Sequence, residues 1–104
     1  MSETLLTENE AGPARVRVGD TVTVRLDEAP TTGFRWNVEP SDPPLRLESD
    51  RFEPPPPPLL GGSGSHSWTF RAVAHGAARL VFALSGRGSA TPERTQEFRV
   101  EVAP

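Results

Sequence analysis

Two groups of residues in this chain have types that chemistry uses. Ser65 and His66 adjoin, and His75 lies nine positions further on. Adjacent residues of a strand point to opposite faces, so Ser65 and His66 cannot serve as nucleophile and base. Two histidines without a third ligand in sight make no metal site, and no cofactor is expected. No Gly-x-Ser-x-Gly elbow or paired-carboxylate motif occurs, so the chain does not read as an enzyme. The other group is the stretch "EAPTTGFRW", residues 28–36. Pro30 fixes its own φ and pushes Ala29 toward an extended shape. Thr31 and Thr32 are β-branched and stiff, and Gly33 supplies a position where φ can be positive without strain. The chemistry of such a tip is recognition: a rigid loop presents two hydroxyls and its backbone amides to a partner and loses little entropy on docking. A plain turn needs only about two to five residues and much less stiffness.

The elements that must position this loop are strands. Period-two alternation puts Val16 and Val18, then Val22, Val24 and Leu26, on one face, with arginine and threonine on the other. Phe34, Trp36 and Val38 repeat the pattern, as do Trp68, Phe70 and Ala72, then Leu80, Phe82 and Leu84, and finally Phe98, Val100 and Val102. Brief strands are added at 4–8, 45–48 and 51–53. No window carries apolar residues at helical spacing over three turns. The expected fold is therefore all-β: a sandwich or barrel of about six to eight short strands closed by antiparallel pairing.

Three segments break the alternation: the 28–33 loop, the run "PPPPPLLGGSGSH" at 54–66 and the polar stretch "SGRGSATPER" at 85–94. If the hairpin at 74–78 lies at one end, the second and third segments share the other. The pattern leaves open whether the first loop joins them. The prolines read as a stiff spacer across the end of the sheets.

Composition narrows the class. The chain has 104 residues, no cysteine and a net charge of −3. One domain, 1–104, is expected, with a core at about 14–102 and residues 1–13 supplying an edge strand. A chain of this length buries roughly 65% of its unfolded surface, enough for a core without disulfides. The charge gives no footprint for nucleic acid. All eleven basic residues are arginine, which reads as coding bias. The N-terminus lacks a basic region and an apolar run, so neither a signal peptide nor a membrane segment is expected, and the expected location is cytoplasmic.

The run "APTTGF", with a tryptophan two residues on, resembles the chagasin family of inhibitors of papain-like cysteine proteases. That family's first loop reads Asn-Pro-Thr-Thr-Gly-Phe/Tyr, so Pro30, Thr31, Thr32, Gly33 and Phe34 match, and Ala29 departs from it. "LLGGSG" at 59–64 is similar to the family's second loop, Gly-x-Gly-Gly after a leucine pair. Gly61 and Gly64 are in place, and Ser63 stands where a third glycine is usual. The third loop's Arg-Pro-aromatic triplet falls on Gly86-Arg87-Gly88, which keeps an arginine one place over and loses the aromatic.

The resemblance implies an immunoglobulin-like sandwich with three loops at one end, forming a wedge for the substrate cleft of a papain-like, cathepsin L-like protease. It implies contacts from Pro30, Thr31, Thr32, Gly33, Phe34, Leu60, Gly61, Gly62, Ser63, Gly64 and Arg87. The protein would act reversibly, as a monomer. The rival reading is a non-inhibitory binding module on the same sandwich with retuned loops, and the altered third loop is its best argument.

Overall fold

Each alternating run forms a strand. The computed structural model describes residues 3–7, 13–28, 34–38, 44–54, 64–86 and 93–104. Among these are β1 (Glu3–Thr7), β2 (Ala14–Arg17), β3 (Thr21–Glu28), β4 (Arg35–Val38), β5 (Leu45–Glu53), β6 (Gly64–Ala72), β7 (Gly76–Ser85) and β8 (Arg94–Ala103). There is no helix among the described residues. The strands make two four-stranded sheets, ordered β1-β3-β6-β5 and β2-β8-β7-β4.

The inner faces are the apolar faces of the alternation. Val22, Val24 and Leu26 of β3, Leu45 of β5 and Trp68, Phe70 and Ala72 of β6 meet Trp36 of β4, Leu80 and Phe82 of β7 and Phe98 and Val100 of β8. Aromatic rings carry the packing from sheet to sheet. The Trp68 ring lies 4.7 Å from Phe82, which meets Phe98 edge-on at 5.8 Å. Each fully buried side chain of this size stabilises the fold by about 1.5–3 kcal/mol.

Two expectations need correcting. The alternation predicts Val18 on the inner face, but it is exposed. β2 stops at Arg17 because a tight turn follows, in which Gly19 adopts φ +100°. Arg17 N donates to the Asp20 carboxylate at 2.9 Å, and Gly19 N donates to the Ala72 carbonyl at 2.9 Å, tying the turn to β6.

The pairing is also not wholly antiparallel. β3–β6, β5–β6, β4–β7 and β7–β8 are antiparallel, but β1–β3 and β2–β8 are parallel. Consecutive strands still run in opposite directions. The chain, however, changes sheet between β1 and β2 and returns at the Gly19 turn. β1 and β3 thus become parallel neighbours in one sheet, with no helix among the described residues between them.

Residues 45–48 and 51–53 belong to one strand, β5, with a bulge between Leu47 and Ser49. This edge strand carries Arg46, Glu48, Asp50, Arg51 and Glu53, and the charges and the bulge guard it against pairing with other chains.

Candidate functional site

The strand registers fix where the three irregular segments are anchored. Glu28, the last residue of β3, pairs with Gly64, the first of β6. Glu53, the last residue of β5, pairs with Ser65. In the other sheet, Arg35 at the start of β4 pairs with Ser85 at the end of β7, and Leu84 pairs with Arg94 at the start of β8. The residues that flank 29–33, 55–63 and 87–92 thus stand at one end of the sandwich. The Gly19 turn and the 73–75 turn stand at the other, where Val73 N donates to the Pro44 carbonyl at 2.8 Å. Alternation leaves the first segment's end open, and pairing decides it.

Pro30, Thr31, Thr32, Gly33, Leu60, Gly61, Gly62, Ser63 and Arg87 lie outside the described residues. Phe34 and Gly64 lie within them. Phe34 is half-buried and its ring covers Gly86: a β-carbon on Gly86 would sit 2.9 Å from it. The exit of the first segment is therefore packed on the entry of the third. Gly64 is buried and leaves no room for a side chain, because a β-carbon there would lie 2.3 Å from the Glu53 carbonyl oxygen.

The base of the first segment is braced across the two sheets. Trp36, 3% exposed, donates from its backbone N to Glu28 Oε1 at 2.6 Å. Its indole Nε1 donates to the Asp27 carbonyl at 2.9 Å. The Arg94 guanidinium lies 5.8 Å from the centre of the Trp36 ring, within reach of a cation–π interaction. Glu28 and Asp27 close β3 in one sheet, while Trp36 is the second residue of β4 in the other. The five undescribed residues between them therefore leave and return through a pinned base.

Glu28 is also buried, which a carboxylate tolerates only when it is hydrogen-bonded. Its second oxygen lies 3.0 Å from His66 Nδ1, and His66 Nε2 is hydrogen-bonded to the Asp50 carboxylate. The imidazole stacks on Trp68 with ring centres 3.9 Å apart, and Phe52 meets it edge-on at 6.3 Å. Glu28, Asp50, Phe52 and His66, with Arg35, Trp36 and Asn37, line a cavity of about 430 Å³ between the edge strands β4 and β5. The sequence motifs do not single out Glu28 or Asp50. A signal exists all the same: Glu28 continues the inward parity of Val22, Val24 and Leu26, and His66 that of Trp68 and Phe70.

A sandwich with three irregular segments anchored at one braced end is an arrangement for presenting loops to a partner. Residues 15–102 match the family model for "Chagasin family peptidase inhibitor I42". The chain belongs to the chagasin family. Membership makes it a peptidase inhibitor of the cysteine-protease class rather than an enzyme.

This chagasin-family chain matches no curated protein in a direct sequence comparison. Among solved structures it is similar to the cysteine protease inhibitor EhICP2 from Entamoeba histolytica. The TM-score is 0.79 at 21% identity, over 98% of this chain and 96% of that one. It is similar to amebosin with a TM-score of 0.77 at 22% identity, over 97% of this chain and 98% of that one. PbICP-C, whose structure is solved in complex with falcipain-2, follows with a TM-score of 0.68 at 15% identity, over 97% of this chain and 89% of that one. At these identities the likeness is one of fold.

Proposed function

We propose that this chagasin-family inhibitor blocks papain-like cysteine proteases reversibly, by seating the braced end of the sandwich in the substrate cleft. The observation that supports the reading is the register, which brings the residues flanking 29–33, 55–63 and 87–92 to one end of the sandwich. A papain-like cleft has a cysteine–histidine pair at its floor and binds substrate in extended form. A blunt tip of Pro30, Thr31, Thr32, Gly33 and Phe34 covers that pair without presenting a peptide bond for attack. Leu60, Gly61, Gly62, Ser63, Gly64 and Arg87 supply the further contacts of this reading. The inhibitor acts as a monomer, and cathepsin L-like enzymes are its targets. PbICP-C in its complex with falcipain-2 supports the partner class.

The test is a double substitution, Thr31→Arg with Thr32→Arg, measured against papain. Inhibition is expected to fall by at least about 100-fold with the melting temperature unchanged, because bulky charge at a buried interface centre costs several kcal/mol. A folded double mutant that inhibits like the parent removes this loop from the contact surface. The rival non-inhibitory module rests on Gly88 alone, which stands where the family has an aromatic, and the family match does not favour it. It is the reading to adopt if the parent protein leaves papain untouched.

A further inference from the structure

The carboxylate–imidazole–carboxylate chain beneath the first loop does more than fill space. Glu28 accepts from Trp36 N through Oε1 and meets His66 Nδ1 through Oε2, and Asp50 meets His66 Nε2. The three side chains come from β3, β6 and β5, and the Trp36 amide from β4. An imidazolium has two N–H donors, whereas a neutral imidazole has one donor and one lone pair. Ionised carboxylates only accept. Neutral His66 therefore satisfies Glu28 or Asp50, and turns a lone pair toward the other. Protonated His66 satisfies both and neutralises buried Glu28. The other charged group on this cavity is Arg35 from β4, and Arg94 from β8 lies at the Trp36 ring.

We propose that Glu28 and His66 are positioning residues for the inhibitory first loop, forming a proton-linked clamp that is complete when His66 is charged. The proposal rests on the reading that this end docks the protease. The clamp pins both ends of the first loop, since Glu28 enters it and Trp36 lies just past its exit. It also pins the exit of the second, since His66 follows Gly64 by two residues. The sign follows from the donor count. The clamp is fully formed while His66 carries both ring protons, and is lost as rising pH removes one of them. Inhibition is therefore tighter at pH 5 than at pH 8 relative to a variant without the clamp.

The experiment compares the parent with Glu28→Gln and His66→Gln against papain at pH 5 and pH 8. Papain's own pH dependence cancels in the ratio of inhibition constants measured at one pH. In Glu28→Gln the new amide can donate to a neutral His66 and still accept from Trp36 N, so the variant matches the parent at high pH. The expected ratio, variant over parent, is about ten at pH 5, the effect of one charge-assisted hydrogen bond, and below about two at pH 8. The His66→Gln variant gives the same trend and replaces Glu28→Gln should that protein not fold.

In parallel, the Trp36 backbone amide is followed by ¹H–¹⁵N NMR in the free protein. Its resonance is expected to move between pH 5 and pH 8 in the parent and to stay in place in His66→Gln. A ratio that does not change with pH, or an equal constant for parent and variants throughout, overturns the clamp as a positioning device. If the parent does not inhibit papain, the docking reading has failed on its own. The amide titration then decides the clamp: a flat resonance overturns it, and a titrating one upholds it as a brace.

Discussion

Gly64 joins the second loop to β6, and its substitution by alanine tests the packing at the braced end. A β-carbon at this position would lie 2.3 Å from the Glu53 carbonyl oxygen and 2.6 Å from the Phe52 ring. Real β-carbons keep at least 3.0 Å from other heavy atoms, so the carbonyl is about 0.7 Å too close. The ring can turn aside at small cost. The carbonyl cannot, because Glu53 pairs with Ser65 on β6 while Gly64 pairs with Glu28 on β3. Overpacking against backbone costs about 1–3 kcal/mol, and a position held on both sides belongs in the upper half of that range. Alanine's lower unfolded-state entropy offsets about 0.5 kcal/mol. A net loss of about 2 kcal/mol lowers the melting temperature of a domain this size by roughly 8–16 °C. Thermal unfolding followed by circular dichroism at pH 7 reads this directly. Adding Phe52→Ala should not restore stability, since the carbonyl is the obstacle. A Gly64→Ala protein that melts within about 3 °C of the parent refutes the reasoning, and rescue by Phe52→Ala would assign the clash to the ring.

Other expectations bear on the core, the far turn, the edge and the third loop. Trp68→Ala, which removes a 1%-exposed side chain from the centre of the sandwich, should cost about 3–5 kcal/mol and abolish cooperative unfolding near room temperature. Gly19→Ala meets no atom within 4 Å, but its φ of +100° should cost about 1 kcal/mol, read as a shift in urea midpoint. The Arg71 guanidinium hydrogen-bonds Glu48 at 2.9 Å and holds its carboxyl below the usual range. That contribution is present at neutral pH and is lost as pH falls through the lowered value. Glu48→Gln should thus lower stability slightly at pH 7 and lessen its further fall at acid pH, read in a urea series. Replacing Arg87-Gly88 by Pro-Trp, which leaves Gly86 under the Phe34 ring, should tighten inhibition about 10- to 100-fold, the worth of one buried aromatic anchor, and an unchanged constant would show the loop alignment to be wrong.

The sequence carries the strands clearly because each core strand alternates cleanly and the aromatics mark its inner face. It carries the pairing less well. Val18 has the parity of Val16, but the turn at Gly19 ends β2 first, and turn chemistry outweighs parity there. Parallel β1–β3 and β2–β8 pairing depends on the chain changing sheets, which no local pattern records. The position of the first loop depends on Glu28 meeting Gly64 and Arg35 meeting Ser85, partners 36 and 50 residues apart. The Glu28–His66–Asp50 chain is hidden for a related reason. Parity turns Glu28 and His66 inward one at a time, Asp50 reads as a surface charge, and only the β3–β6–β5 register brings the three together. Recognition of the loops themselves comes from "APTTGF" and "LLGGSG", where stiff and close-fitting residue types are concentrated.

The central claim is that this end of the sandwich closes a protease cleft. Titrating papain with the purified protein, with a fluorogenic peptide reporting residual activity, tests it most directly. The account predicts saturable inhibition that reverses on dilution and leaves the inhibitor uncleaved. Full papain activity at micromolar concentrations of a demonstrably folded protein would contradict it.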